Sequence, residues 1–348
     1  MARAPFNVQS AGPLKYLCID RYCGHPRFIR ATPCSGEPSD CLTSATPSRW
    51  HARAKVTAMM LTKSFVRAKR PCIDGFRWFV RQFGEGGNYQ ELLDQMVANG
   101  RSGDARWLLE RFGPTEEVRV VDAIEAAAVV FAGTLEVRGN VEVDGPIHVG
   151  GSLHVRGGLR ASDELRTGAD LRVEGSIRCA GRLTVNGDLH VGWGLECVGE
   201  LHCNGDLRTG WGMHCGDQVR IGGNSNIGHD LEAEEDVRCG KSIQAGGSIW
   251  VARILHARQG ITAGESVHAG MHLVAGWGIK AGGTISAEGS IRAGESLMAG
   301  EAIRAGSGYG VFAGLDVQRE TWESSARVSA PQRPEALMSG WWAGPAAC

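Results

Sequence analysis

Seven of the eleven histidines (His148, His154, His190, His202, His214, His256 and His268) stand one residue after an aliphatic position that returns every six residues. Imidazoles on neighbouring strands can share a metal when they face one another. If three six-residue units make one coil, facing positions lie about 18 residues apart, and no two of these seven have that separation. They are expected to be solvated strand-face residues, and no metal site is expected. Cys18, Cys23, Cys34 and Cys41, with His25 nearby, do not form the two paired knuckles of a structural zinc site either. Cys179, Cys197, Cys203, Cys215 and Cys239 share one position of the repeat, where a compact apolar side chain is needed, so they read as core residues and not as a disulfide framework.

The same column argument sorts the charges. One outward column reads His148, Arg166, Thr184, His202, Arg220, Arg238, His256, Val274, Arg292, with seven Arg or His among nine residues and no acid. The other two columns contain Glu136, Glu142, Glu196 and Glu232, so the basic bias is expected on one side only. Cations repeated every ~4.8 Å repel unless corner acids such as Asp188 and Glu265, or a bound anion, offset them. His148, Arg166, His202, Arg220, Arg238, His256 and Arg292 are therefore the candidate polyanion face, for nucleic acid, an acidic glycan or an acidic protein. Trp193, Trp211 and Trp277, each between two glycines, are candidate aromatic corners for stacking a sugar or a base. Trp193 and Trp211 fall on one corner column and Trp277 does not.

No Walker-type loop, no dinucleotide-binding G-x-G between a strand and a helix, and no serine or cysteine elbow occurs. No cofactor and no catalytic residue are assigned. With a formal net charge of −1, only local patches can select a charged partner.

The elements that would position these residues follow from the repeat. Stepping by six from Leu135 to Ile303, Leu, Ile, Val or Met occupies 28 of 29 positions, with Ser225 the exception. Two residues after each anchor stands another residue able to pack inward, from Val137 to Ala305. Positions i and i+2 share one face of a strand, so each unit is a short strand with two inward side chains and a corner. The corners are rich in glycine, which permits positive φ and tight turns. Proline is absent between Ile147 and Ala330, as continuous ladders require. The expected fold is mainly β: a single-stranded parallel β-helix (β-solenoid) of about 18 residues per coil, preceded by a small helical module.

The alternation in Leu135-Glu-Val-Arg-Gly, Leu183-Thr-Val-Asn-Gly-Asp and Ile291-Arg-Ala-Gly-Glu-Ser resembles the bactofilins, bacterial polymer-forming proteins with a β-helical core. The resemblance covers about 170 residues and implies a cytoskeletal scaffold assembling through its coil ends. The chain departs from that pattern in its helical module and in an aromatic segment with Tyr309, Phe312 and Trp322, both placed where ends would stack. A rival is the hexapeptide solenoid of acyltransferases. There the small residue typically falls four after the anchor, and a loop or a subunit interface places a histidine. Here it falls two after, and no insertion interrupts the units.

Residues 1–58 read as a disordered or non-native basic extension, with twelve Lys or Arg from Met1 to Pro71 against Asp20, Glu37 and Asp40. Residues 63–132 read as a helical capping module, 133–306 as the solenoid and 307–348 as a C-terminal cap and tail. Tyr89, Leu92, Leu93, Met96 and Val97 mark one helix face, with Asn88 and Glu91 as its capping box; a second helix fits Asp104–Phe112. Ile73, Phe76, Trp78 and Phe79 are expected to complete the module's core. The longest apolar run, Ala126–Ala132, is too short for a transmembrane segment, and a cytoplasmic location is the expectation. The functional expectation is a non-enzymatic scaffold that self-associates; the alternative is a binding module presenting its basic face to an anionic polymer.

Ile243→Asp places an unpaired charge at an anchor position and should collapse the stack, lowering stability by several kcal/mol in chemical denaturation. A variant as stable as the parent would refute the inward assignment.

Overall fold

The computed structural model describes residues 59–345. The N-terminal extension, including Cys18, Cys23, Cys34 and Cys41, lies outside the described residues. Every unit from Leu135 to Ile303 forms a short strand, and the strands stack in parallel into three sheets of 13, 11 and 12 strands. The chain visits the sheets in rotation. Sheet one runs from Val118–Val121 to Trp341–Trp342, sheet two from Ile124–Ala126 to Ile303–Arg304, and sheet three from Val129–Phe131 to Leu337–Ser339. Leu159 pairs with Ile177 and Leu165 with Leu183, which sets 18 residues per coil.

The interior follows from the alternation. Every anchor from Leu135 to Ile303 is buried, and so is the residue two further on, except the half-buried Ala305. The second inward residue is mostly valine in the first coils and alanine in every unit from Ala257 to Ala305. The inward side chains thus become smaller toward the C-terminal end.

Corners are held by the coil beneath. The amide N–H of Gly205 donates to the Gly187 carbonyl at 3.0 Å, and that of Gly223 to Gly205 at 2.9 Å. Polar side chains extend the pattern: the backbone N–H groups of Asp188, Asp206 and Asn224 donate to Asp170, Asp188 and Asp206 at 2.9, 2.8 and 2.7 Å. One carboxylate oxygen of each aspartate is therefore spent on the next coil's backbone. The expectation that corner glycines serve positive φ is not met; none of the positive-φ glycines falls between Gly133 and Gly306. Glycine is needed for closeness, since a Cβ at Gly168 or Gly282 would run into the carbonyl oxygen of Gly150 or Gly264.

The helical module is shorter than residues 63–132. It comprises α1 (Lys63–Ala68), α2 (Ile73–Phe83), α3 (Tyr89–Ala98) and α4 (Ser102–Phe112), and residues 118–131 already run as the first coil. Those first strands escape the repeat because their spacing is irregular: Ile124 pairs with Val141 and Val118 with Thr134. Asn88 caps α3, accepting from Gln90 N and Glu91 N at 2.9 and 3.2 Å. Phe79 joins the module's core, whereas Ile73, at the first position of α2, is exposed.

The module packs on the outer side of sheet three through Val130, which is buried with Leu92, Leu93 and Leu109. Gln90 seals the edge there: its amide nitrogen donates to Val130 O at 3.1 Å and its oxygen accepts from Ala132 N at 2.9 Å. The side-chain amide thus imitates a further strand on an edge that would otherwise be open. At the other end, Val311–Phe312 and Leu337–Ser339 extend sheet three, and Arg327–Ser329 and Trp341–Trp342 extend sheet one. Among the described residues no helix is long and apolar enough to cross a membrane.

Ser225 breaks the column of aliphatic anchors, yet Ser225–Ile227 is a regular strand paired in register with Leu207 and Ile243. Eighteen-residue pairing on both sides imposes the strand whatever the side chain. The cost remains, because Ser225 is fully buried and its hydroxyl has no hydrogen-bond partner among the described residues. Ser225→Val should raise stability by roughly 1–3 kcal/mol in chemical denaturation. A lower midpoint would mean that the hydroxyl is satisfied.

Candidate functional site

The ladder of sheet three places the basic column as expected. His148 pairs with Arg166, Arg166 with Thr184, Thr184 with His202, His202 with Arg220, Arg220 with Arg238, and Arg238 with His256; Val274 and Arg292 follow. The structure divides this column into two parts.

The first part belongs to the helical module. His148 is 3% exposed beneath α4, with Nε2 3.8 Å from Glu164 and Nδ1 without a hydrogen-bond partner among the described residues. Arg166 meets Glu110 of α4 at 3.5 Å, and Arg106 of α4 reaches Glu164 at 3.3 Å. The helices cover His148, whereas Arg166 is tied to Glu110 with 43% of its side chain still exposed.

The second part, His202 to His256, lines an open groove of about 580 Å³, joined by Asn204, Gly222, Gly240, Ile254 and Arg258. Gly222 and Gly240 leave the floor low. Arg220 hydrogen-bonds Gln218 at 2.8 Å and lies 3.4 Å from Glu200, while Arg238 meets Asp236 at 3.3 Å. Both carboxylates are shared: Glu200 also meets Arg182 at 3.2 Å, and Asp236 also meets Arg253 at 3.7 Å. Arg292 lies farther along, its guanidinium 5.8 Å from the centre of the Phe312 ring. Burial, and then the charges of Arg238 and Arg258, push the His256 imidazole below its usual range.

Arg258 was missed by the column argument because it stands three residues after its anchor, at a position often occupied by glycine.

The basic bias is not confined to one side. The sheet-one row beginning at Glu136 continues through His154, Arg172, His190 and Arg208 to Lys280 without another acid. One glutamate at the end of that row had stood for the whole of it. Here Asp170, Asp188 and Asp206 immediately precede the anchors, so an acidic row runs beside the basic one. In sheet two, Arg178–Glu196 at 3.3 Å and His214–Glu232 at 3.5 Å pair along the row.

Trp193 and Trp211 do share one corner, Trp211 N donating to Trp193 O at 3.1 Å, and both are exposed. His229 continues the column, its ring stacked on Trp211 at 4.6 Å and 13° and held by Asp230 at 2.6 Å. Trp277 is on another corner, donating to Gln259 O at 3.2 Å. The three tryptophans therefore do not form one platform.

The five cysteines of the repeat are buried and free. Burial pushes the Cys203 thiol up to about 11, as suits a core residue. His272 Nδ1 lies 3.2 Å from Ser290 Oγ but also accepts the Ser290 backbone N–H at 3.1 Å, which engages the lone pair a general base would use. Among the described residues no group of three or more His, Cys, Asp or Glu is placed to hold a metal.

Residues 59–112 match the family model described as the YdhT N-terminal domain, so the match covers the helical module and stops before the solenoid. No curated protein and no solved structure matches the chain.

Burial pushes the His148 imidazole below its usual value, with Arg106 and Arg166 acting the same way against Glu164. A lowered pKa means that the unfolded chain binds the proton first. The contribution to stability is therefore whole above about pH 6.5 and is lost as pH falls from there through the folded-state pKa. His148→Gln should reduce the fall in melting temperature between pH 7 and pH 5. An equally steep profile in the variant would remove His148 as its source.

Proposed function

We propose that the protein is a non-enzymatic structural rod that self-associates end to end. The observation that carries this reading is the run of 29 consecutive strands in one register, from Thr134–Val137 to Ile303–Arg304, with no loop inserted to build a pocket. A stack of this kind gives a stiff body whose length is set by coil number. Its ends suit assembly. Val118 and Val120 are exposed on the first strand of sheet one, and Met338, Trp341 and Trp342 are exposed on the last strands of sheets three and one. Joining one end to the other is a heterologous contact, which repeats into a filament when the rotation does not close. The likeness of the repeat to the polymer-forming bactofilins supports the same reading, and the helical module is buried against sheet three through Val130.

Negative-stain microscopy of the purified full-length protein tests this. Filaments or short end-to-end chains are expected, and Trp341→Glu with Trp342→Glu should return them to single particles while leaving the melting temperature near that of the parent. Single particles of the parent across a broad concentration range would overturn the proposal.

A further inference from the structure

The groove on sheet three carries a charge pattern that is both regular and unbalanced. Arg220 and Arg238 occupy successive coils in register, and Arg258, on the next coil, stands two residues beyond His256 on the same outward side. No carboxylate lines the groove. The neighbouring acids, Glu200, Asp236 and Glu235, serve Arg182, Arg220, Arg238 and Arg253 between them. The Arg258 guanidinium has no hydrogen-bond or ion-pair partner among the described residues; only its backbone is bonded, the N–H donating to Cys239 O. The central row of sheet one is less basic, with Asn226, Gln244 and Thr262 following Arg208, and it carries its own line of aspartates.

The occupant follows from chemistry and repeat. Guanidinium groups match planar carboxylates bidentately. The groove has no Trp, Tyr or Phe among its lining residues, so it lacks the stacking surface with which single-stranded nucleic acid is commonly held. Duplex DNA places one phosphate per ~3.4 Å of helix axis on each strand, out of step with arginines presented once per coil at ~4.8 Å along the solenoid axis. A chain of hexuronic acids carries one carboxylate per sugar, and one sugar spans about one coil.

We propose that this groove binds an acidic polysaccharide lying along the solenoid axis, with successive carboxylates received by Arg220, Arg238 and Arg258. The inference is independent of end-to-end assembly, because the groove lies on the side of the rod.

Calorimetric titration of the full-length protein with polygalacturonate at low salt tests it. Binding is expected, with no binding of the fully methyl-esterified polymer, whose carboxylates are masked. Arg220→Gln, Arg238→Gln and Arg258→Gln combined should weaken binding by at least about tenfold at an unchanged melting temperature. Arg172→Gln with Arg208→Gln on sheet one should leave it intact. Should the triple variant misfold, Arg258→Gln alone carries the test, since that side chain holds nothing in the fold. The proposal is overturned if polygalacturonate does not bind, or if the Arg258→Gln variant binds as tightly as the parent. It is equally overturned if single-stranded or duplex DNA binds more tightly than the polysaccharide.

Discussion

Everything in this molecule depends on one requirement: each coil must satisfy the backbone hydrogen bonds of the coil beside it. Strands do this through their ladders, and corners do it as well, with Gly205 N on Gly187 O and Trp211 N on Trp193 O. Between Leu135 and Ile303 donor and acceptor lie one coil apart and every unit keeps six residues, whereas the first and last coils depart from 18, Ile124 pairing with Val141 and Ile291 with Val311. The side chains adapt to that rule. Asp170, Asp188 and Asp206 each give an oxygen to a backbone N–H of the following coil, and glycine appears where two corners approach too closely for a Cβ.

The same requirement explains how the ends are treated. The first strand of sheet three has one edge with no coil beneath it, and Gln90 supplies from its side chain the donor and acceptor that a strand would have given. A helix thereby finishes a sheet. The contact is reinforced by buried apolar residues and by the Arg106–Glu164 and Arg166–Glu110 pairs, which turn the first part of a surface row into an internal joint. The C-terminal end is finished differently, by further short strands and exposed aromatic side chains.

The core was legible in the sequence because its period is short and exact in number: two inward residues in every six, without a slip between Leu135 and Ile303. The row from His202 to His256 was legible for the same reason. What escaped was whatever did not repeat. The first coil, with Ile124 and Val129 five residues apart, breaks the count, so its strands were assigned to the helical module. The burial of His148 depends on a helix arriving from outside the repeat, and no periodicity records that. Arg258 lies beside the row and not in it, which a single-column reading passes over. Ser225 shows the reverse case: a break in the pattern that the backbone overrides completely.

The core and the faces obey different arithmetic. The interior repeats every 6 residues, because any unit can follow any other, whereas a face repeats only every 18. Loss of a whole coil would shorten the rod and leave every row continuous. Loss of a single unit would leave the interior equally well packed, yet it would carry all later residues onto the neighbouring sheet, splitting the arginine row and joining its upper half to a different one. Such a change of phase would keep the inward pattern while splitting the arginine row and the aspartate and glycine corners that are matched every 18 residues.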